Sequence, residues 1–193
     1  MIAEPIAAVE SAAHALSRLT HHRWALPVLA HVTRHRGCKF VTLTRQLGVA
    51  PPGLKRALAR LAELDLVVRN PGYGHPMRPE YVLGALGERA GALATEIDDW
   101  VQAAQLGGEV LKKWQLPVLA ALEPDVQRFG AVRRVLPTAT PRALTLALKG
   151  NAGLGLVART VDVGYPPVPR YAPTRKASAG RAPARLLGEI LAA

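Results

Sequence analysis

Apolar residues recur along this chain at the spacing of one helix face. Near the N-terminus this pattern predicts an amphipathic helix over residues 5–20. Its apolar positions are Ile6, Val9, Ala13, Leu16 and Leu19. The same spacing predicts further helices over residues 24–35, 40–47, 53–64, 86–106, 110–122, 129–136, 141–152 and 181–191. The chain is therefore predicted to be mainly helical.

Two pairs of short strands interrupt the helices. The first pair covers residues 66–69 and 80–83, and the second covers residues 156–161 and 170–172. A segment containing Gly and Pro separates the two strands of each pair, which predicts a hairpin. Each half of the chain then runs helix, helix, turn, helix and hairpin. That order is typical of a winged helix-turn-helix, in which the helix after the turn can enter the major groove of DNA.

The two halves are copies of one module. Residues 113–120 repeat residues 23–30, with a cation, Trp, Leu, Pro and an aliphatic tail at matching positions. Such an internal repeat indicates tandem structural units. The predicted divisions are an N-terminal accessory helix at 1–22, winged-helix module 1 at 23–85, a connecting helix at 86–108, winged-helix module 2 at 109–176 and a C-terminal helix at 177–193.

Composition favours a folded protein with a polyanionic partner. Hydrophobic residues make up 49% of the 193 residues, which argues against a disordered basic tail. The formal net charge of +11 favours nucleic acid first and an anionic membrane second. The alternative is a solvated cationic face without a partner. Residues 1–100 carry 12 basic and 9 acidic groups, whereas residues 101–193 carry 13 and 5. The second half is the more cationic.

The sequence also favours a cytoplasmic, nucleoid-associated protein. Its apolar runs are too short, or too broken by Pro and charge, to cross a bilayer. The first residues lack the basic flank and apolar core of a secretory signal. A single cysteine, Cys38, excludes an internal disulfide framework.

The ordered motifs of both halves resemble the HxlR type of winged-helix transcriptional regulator, within the broader MarR-like group. The second half carries the resemblance in Lys113-Trp114, Arg128-Phe129, Leu136-Pro137, Thr140-Pro141, Leu156-Val157-Ala158-Arg159, Pro166-Pro167 and Arg170-Tyr171. The first half carries it in Arg23-Trp24, Lys39-Phe40, Leu66-Val67-Val68-Arg69, Pro79, Tyr81 and Leu83. The resemblance implies DNA-binding homodimers in which each chain supplies one winged helix and the terminal helices form the interface.

This chain departs from the family pattern in two ways. It holds two modules, so we expect an intramolecular pseudo-dimer in which the helix over 86–106 and the terminal helices form the interface. The molecule would act as a pseudo-dimeric monomer or pair again as a homodimer. In addition, Gly150, Gly153 and Gly155 fall at the end of the second recognition helix. Because Gly costs about 1 kcal/mol in a helix interior, we expect that helix to be short.

The predicted partner is therefore double-stranded DNA. Cations on the two recognition helices can read guanine edges, whereas most basic contacts go to phosphates. The preceding helices and the wings supply further candidates. The predicted DNA-binding residues are Arg45, Lys55, Arg56, Arg60, Arg69, Arg78, Arg133, Arg134, Arg142, Thr145, Lys149, Arg159 and Arg170.

A second hypothesis is a small-molecule-binding protein that keeps the fold but has weakened DNA recognition. A planar aromatic effector could stack in a cleft between the modules, where Trp24, Trp100 and Trp114 are the candidate ligand-binding residues. Trp100 lies outside the two modules and is the freest to line such a cleft, whereas a core role is the commoner one for the other two. A third hypothesis, a nonspecific architectural DNA protein, needs only the charge.

The remaining candidate chemistry is sparse. His31 and His35 are spaced to share a helix face, but no neighbouring Cys, Asp or Glu completes an obvious metal site. Cys38 beside Lys39 is either an oxidant-sensitive thiol or a buried structural one. The sequence lacks a phosphate-binding Gly-rich loop, a nucleophile elbow and a spaced carboxylate pair. We therefore expect no enzyme activity, no cofactor and no metal.

Overall fold

The computed structural model of the protein describes residues 3–70 and 80–193. The first part contains α1 (Ala3–Leu19), α2 (Ala25–His35), β1 (Cys38–Lys39), α3 (Phe40–Leu47), α4 (Pro51–Glu63), β2 (Val67–Asn70) and β3 (Glu80–Leu83). The second contains α5 (Ala85–Ala103), α6 (Gln115–Ala121), α7 (Phe129–Val135), α8 (Pro141–Gly153), β4 (Val157–Asp162), β5 (Val168–Pro173) and α9 (Ser178–Ala192). Short 3-10 turns cover Gly107–Glu109 and Arg175–Ala177. The predicted class, mainly α with small antiparallel wings, is confirmed.

Each module has its own antiparallel wing. In module 1, β3 lies between β1 and β2, and Cys38 of β1 is opposite Tyr81. In module 2, β4 pairs with β5, and an isolated bridge joins Arg128 to Arg170. That bridge corresponds to β1. In module 1, β1 joins the residues before α3 to β3, and in module 2 the bridge joins the residue before α7 to β5. The two-residue strand β1 was not predicted from the sequence, since so short a segment carries no alternation of its own.

Proline fixes the start of both recognition helices, α4 and α8. Pro51 and Pro141 stand at the first helical position, where the missing N–H has no intrahelical partner to lose and φ is already helical. In α8 the preceding Thr140 also caps the helix, since its hydroxyl oxygen accepts a hydrogen bond from the Ala143 backbone N–H at 3.2 Å. Both helices therefore begin at the same position of their module.

The helix predicted over residues 110–122 is shorter than expected. The observed helix α6 covers Gln115–Ala121 only, and its third residue is Pro117. Proline is tolerated in a first turn but breaks the ladder in a helix interior. Val110 and Leu111 are buried without being helical, so their apolar spacing reflects burial and not a longer helix. In module 1, α2 likewise begins two residues before its Pro27.

The second recognition helix is not short, contrary to expectation. Both α4 and α8 contain 13 residues. Gly150 permits close approach to α6, because a Cβ there would overlap the side-chain amide of Gln115 unless that side chain moved. The next residue, Asn151, is fully buried and donates from Nδ2 to the Gln115 carbonyl oxygen at 3.0 Å. Tertiary contact with α6 therefore outweighs the low helix propensity of glycine.

The modules are joined by packing of α1, α5 and α9. α5 packs on α2 of its own module and on α9 of the other, whereas α1 packs on α9 and α6. Two glycines permit close approach: a Cβ at Gly180 would overlap the Trp100 indole, and one at Gly188 would overlap the Ala12 carbonyl oxygen. One continuous cluster of buried apolar residues runs through both modules. The expected arrangement, an intramolecular pair joined by the connecting and terminal helices, agrees with this packing.

Candidate nucleic-acid interface

One face of the recognition helix α4 packs in the core, and another face carries exposed cations. Leu54, Ala57 and Leu58 are buried, which fixes the orientation of the helix. Lys55 and Arg56 are exposed on its outer face. Since the N-terminal residues of a recognition helix are those that reach base edges, both side chains stand where DNA contact is expected.

Arg60, at the end of the same helix, is engaged within the protein. Its side chain is 19% exposed. Its Nε donates to the Arg18 carbonyl oxygen at 2.7 Å, and one terminal nitrogen pairs with Glu63 at 2.8 Å. These contacts tie α4 to the end of α1, so Arg60 positions the recognition helix and is less free to reach DNA than predicted. The sequence did not indicate this, because α1 lies outside the repeat.

The recognition helix α8 presents a different set of side chains. Arg142, Thr145 and Lys149 are exposed, as their predicted role requires. The Thr145 hydroxyl donates to the Pro141 carbonyl oxygen at 2.8 Å, which leaves its oxygen as an acceptor. Leu146 is 59% exposed, an unusual exposure for Leu on a helix whose opposite face is fully packed.

The other predicted cations are distributed over the preceding helices and the wings. Arg45, at the end of α3, and Arg133 with Arg134, at the end of α7, are exposed. Arg69 on β2 and Arg159 on β4 are exposed as well. All five side chains therefore have the exposure that a contact with a phosphate backbone requires.

Arg170 differs from the other wing residues because it has an acidic partner. Its Nε lies 2.6 Å from Asp162, and Arg128 lies 3.9 Å from the same carboxylate. Arg170 and Arg134 also line a cleft of about 620 Å³ beside the start of α7. The predicted DNA contact Arg78 belongs to residues 71–79, which lie outside the described residues.

The repeated cation-Trp pair supports each recognition helix. The Arg23 guanidinium lies 4.9 Å from the Trp24 ring centroid, and the Lys113 ammonium lies 4.8 Å from that of Trp114. Trp24 packs against the first turn of α4 at Gly53. Both indoles are half-buried and contact the core. The motif therefore sets the position of the helix that would read DNA, and the cation–π contact adds about 0.5–1 kcal/mol at such an exposed site.

A cationic junction lies between the two recognition helices. A cleft of about 750 Å³ is lined by Arg56 of α4 together with basic side chains from both modules. These side chains are His21, His22, Arg23, Lys112 and Lys113. Lys112 and Lys113 also line a second cleft, of about 400 Å³, beside Ala143 and Leu146 of α8. The two helices thus flank one positively charged junction.

Electrostatics in the junction agree with its composition. Burial lowers the pKa of His22, and the positive charges of His21 and Arg56 lower it further. Lys112 pairs with Glu109 at 2.6 Å, an exposed ion pair of little stabilising value. Apart from Arg56, the junction side chains were not among the predicted DNA contacts. A sequence signal for them exists, since His22-Arg23 precedes Trp24 and Lys112-Lys113 precedes Trp114.

The three tryptophans do not form one ligand-binding cleft. Trp24 and Trp114 line separate clefts. Trp100 is 7% exposed and packs on Gly180 of α9, with its indole N–H donating to the Lys176 carbonyl oxygen at 3.1 Å. The prediction that Trp100 is free to line a pocket is therefore wrong: the residue is a core contact between modules.

His31 and Cys38 are buried side chains of module 1. Burial lowers the pKa of His31, and the nearby His35 ring, 4.2 Å away between centroids, lowers it further. Burial raises the pKa of the Cys38 thiol, which disfavours the reactive thiolate. Among residues 3–70 and 80–193, no group of three or more His, Cys, Asp and Glu side chains is arranged to hold a metal ion.

Comparison with known proteins accounts for both halves of the chain. The family model described as HxlR-like helix-turn-helix matches twice, over residues 19–106 and 109–191. No curated protein and no solved structure matched. Within the described part of the chain, no helix combines the length and apolar character needed to cross a membrane. The predicted resemblance is confirmed, and the chain belongs to the HxlR-like helix-turn-helix family of transcriptional regulators, with two copies of the module in tandem.

Proposed function

We propose that this protein is a sequence-specific DNA-binding transcriptional regulator in which the two winged helices of one chain contact adjacent half-sites. The observation that carries the proposal is the arrangement of α4 and α8 around the cationic junction, where Lys112 and Lys113 line both the cleft beside Arg56 of α4 and the cleft beside Leu146 of α8. A pair of helix-turn-helix units reads half-sites about one helical turn apart on one face of the duplex.

The two parts of this surface have different roles. Lys55 and Arg56 on α4 supply donors that suit guanine edges in the major groove. The junction lies between the helices, where the duplex between the two half-sites would pass. Its cations therefore suit phosphate contacts, which fix register and supply affinity without reading sequence. Arg45, Arg133 and Arg134 extend the same electrostatic surface outward.

The test begins with selection of genomic fragments by the purified protein, followed by salt titration of the best fragment against random DNA. Specific affinity is expected to exceed nonspecific affinity by about a thousandfold or more. Arg56→Ala should weaken the specific complex by about tenfold or more, because a bidentate contact discriminates by about 1–3 kcal/mol. Arg89→Ala is the matched control, since Arg89 is exposed on α5 outside both helix-turn-helix units.

Lys112→Gln separates phosphate contact from base reading. This substitution should weaken specific and random complexes alike and reduce the slope of log affinity against log salt by about 0.9. If no fragment is preferred over random DNA, and Arg56→Ala and Arg89→Ala bind equally well, only net charge is at work and the proposal is rejected.

A further inference from the structure

We infer that the operator of this protein is not a palindrome, because its two recognition helices present different exposed side chains while three of their four buried residues are the same. The inference rests on the proposed function, and it concerns which bases the two half-sites contain. Homodimeric winged helices read two equivalent half-sites with equal side chains. Here the two helices belong to one chain and are free to differ.

The buried faces of the two helices share three of their four residues. α4 and α8 both start with Pro and contain 13 residues, so residues 90 positions apart are equivalent. Leu, Ala and Leu recur at the buried positions 54, 57 and 58 of α4 and 144, 147 and 148 of α8, whereas the fourth buried position is Leu61 in α4 and Asn151 in α8. Trp24 lies against Gly53 of α4, and Trp114 lines a cleft with Ala143, the equivalent residue of α8. Both helices are thus packed in similar positions in their modules.

After the shared first proline, the two helices differ at every exposed position of the first three turns. Going from α4 to α8, the exposed pairs are Pro52 and Arg142, Lys55 and Thr145, Arg56 and Leu146, and Ala59 and Lys149. If both helices read the same half-site, their exposed side chains would have to be the same. The differences fall on the surface that a recognition helix uses to contact bases, and the shared residues fall on the surface that holds it.

The chemistry assigns a different base pair to the centre of each half-site. Arg56 offers two parallel donors that match the guanine O6 and N7 acceptors. Leu146 at the equivalent position has no donor and suits contact with the thymine methyl group. Thr145 agrees with this, because its hydroxyl hydrogen is donated to the Pro141 carbonyl oxygen and its exposed side chain also carries a methyl group. We therefore assign a central G·C pair to the α4 half-site and a central A·T pair to the α8 half-site.

The exposed cations of α8 are separated along the helix. Arg142 lies in its first turn and Lys149 two turns later, on either side of the Thr145–Leu146 pair. In α4 the cations Lys55 and Arg56 occupy the middle instead. The α8 half-site is therefore expected to show an A·T centre with flanking phosphate or guanine contacts, and the α4 half-site a guanine-containing centre.

The experiment is selection from a randomised duplex pool with the full-length protein, followed by affinity measurement on three duplexes. These carry the selected site, a palindrome of its α4 half and a palindrome of its α8 half. The selected site should be asymmetric and bind about tenfold or more tightly than either palindrome. The double variant Thr145→Lys/Leu146→Arg should instead prefer the α4 palindrome, because the buried residues beneath both substituted positions are the same in the two helices. Lys55→Thr/Arg56→Leu should prefer the α8 palindrome.

Circular dichroism of both double variants checks that they remain folded, which is expected because all four substituted side chains are exposed. A palindromic selected site, or an unchanged preference in folded Thr145→Lys/Leu146→Arg protein, overturns the inference and leaves the proposed function intact. Selection of the α4 half-site alone also overturns it, since α8 would then read no bases. Absence of any selected sequence rejects the proposed function and this inference together.

Discussion

Replacement of Trp100 should separate the two modules more effectively than any single change on the DNA-facing surface. Its indole is 7% exposed, fills the space left by Gly180 and donates to the Lys176 carbonyl oxygen at 3.1 Å. Trp→Ala in a core costs about 3–5 kcal/mol through lost burial and a residual cavity. The hydrogen bond accounts for about 1 kcal/mol of this sum. Trp100→Phe should therefore cost less than Trp100→Ala, since it keeps a ring and loses the N–H donor.

The assay is urea unfolding followed by far-ultraviolet circular dichroism. With a slope of about 2 kcal/mol per M, Trp100→Ala should lower the midpoint by about 2 M. Tyr165→Ala is the matched control, because Tyr165 is fully exposed at the tip of the second wing. Its midpoint should change by less than about 0.3 M, as surface substitutions cost within about 0.5 kcal/mol.

A double-mutant cycle tests the contact itself. Gly180→Ala alone should cost about 1–3 kcal/mol, because the added Cβ overlaps the indole. In a Trp100→Ala background the same methyl group enters the vacated space, so its cost should fall by about 1 kcal/mol or more. Additive costs, or a loss below about 1 kcal/mol for Trp100→Ala, would refute the packing between α5 and α9 described above.

Three further predictions concern single side chains of module 1. Arg60→Ala should destabilise the protein by about 1–2 kcal/mol, because the hydrogen bond to the Arg18 carbonyl oxygen is lost. The slope of log DNA affinity against log salt should stay unchanged. A slope reduced by about 0.9 would instead make Arg60 a phosphate contact. Cys38 should react with iodoacetamide far more slowly in native than in urea-unfolded protein, because burial raises its pKa; equal rates would contradict its burial. Because the pKa of His31 is lowered in the folded protein, the unfolded chain binds a proton at this residue more readily. The free energy of unfolding should therefore fall as the pH drops below about 6.5 and level off below the folded-state pKa. His31→Gln should weaken that pH dependence in unfolding titrations at pH 7 and 5.

The repeat and the helical spacing were enough to predict the fold. Both depend on local features that each half of the chain carries, namely apolar periodicity and the prolines at positions 51 and 141. The errors lie where tertiary contacts override local preference. Gly150 lowers helix propensity but permits α8 to approach Gln115, and no spacing rule relates a glycine to a glutamine 35 residues earlier.

The candidate site was predicted in part for a similar reason. Exposed cations on the recognition helices follow from helix periodicity, so Lys55 and Arg56 could be placed on an outer face from the sequence. Whether a cation is free to contact DNA cannot be predicted from the neighbouring sequence, because its partner in the fold can be far away along the chain. Arg60 meets a carbonyl oxygen 42 residues away, and Trp100 meets a helix 80 residues away. The DNA contacts themselves and the division into domains stay predictions.

The packing of α1 on the far module has a consequence for the order in which the chain is made. Leu16 and Leu19 of α1 are fully buried, and the helix packs on α6 and α9. The ribosome adds residue 178, the first of α9, about 160 residues after α1 is complete. At about 5–20 residues per second that delay is on the order of ten to thirty seconds. During it α1 lacks its contact with α9, even after α6 has been made, so variants that weaken α9 should lower the soluble yield of newly synthesised protein before they alter its affinity for DNA.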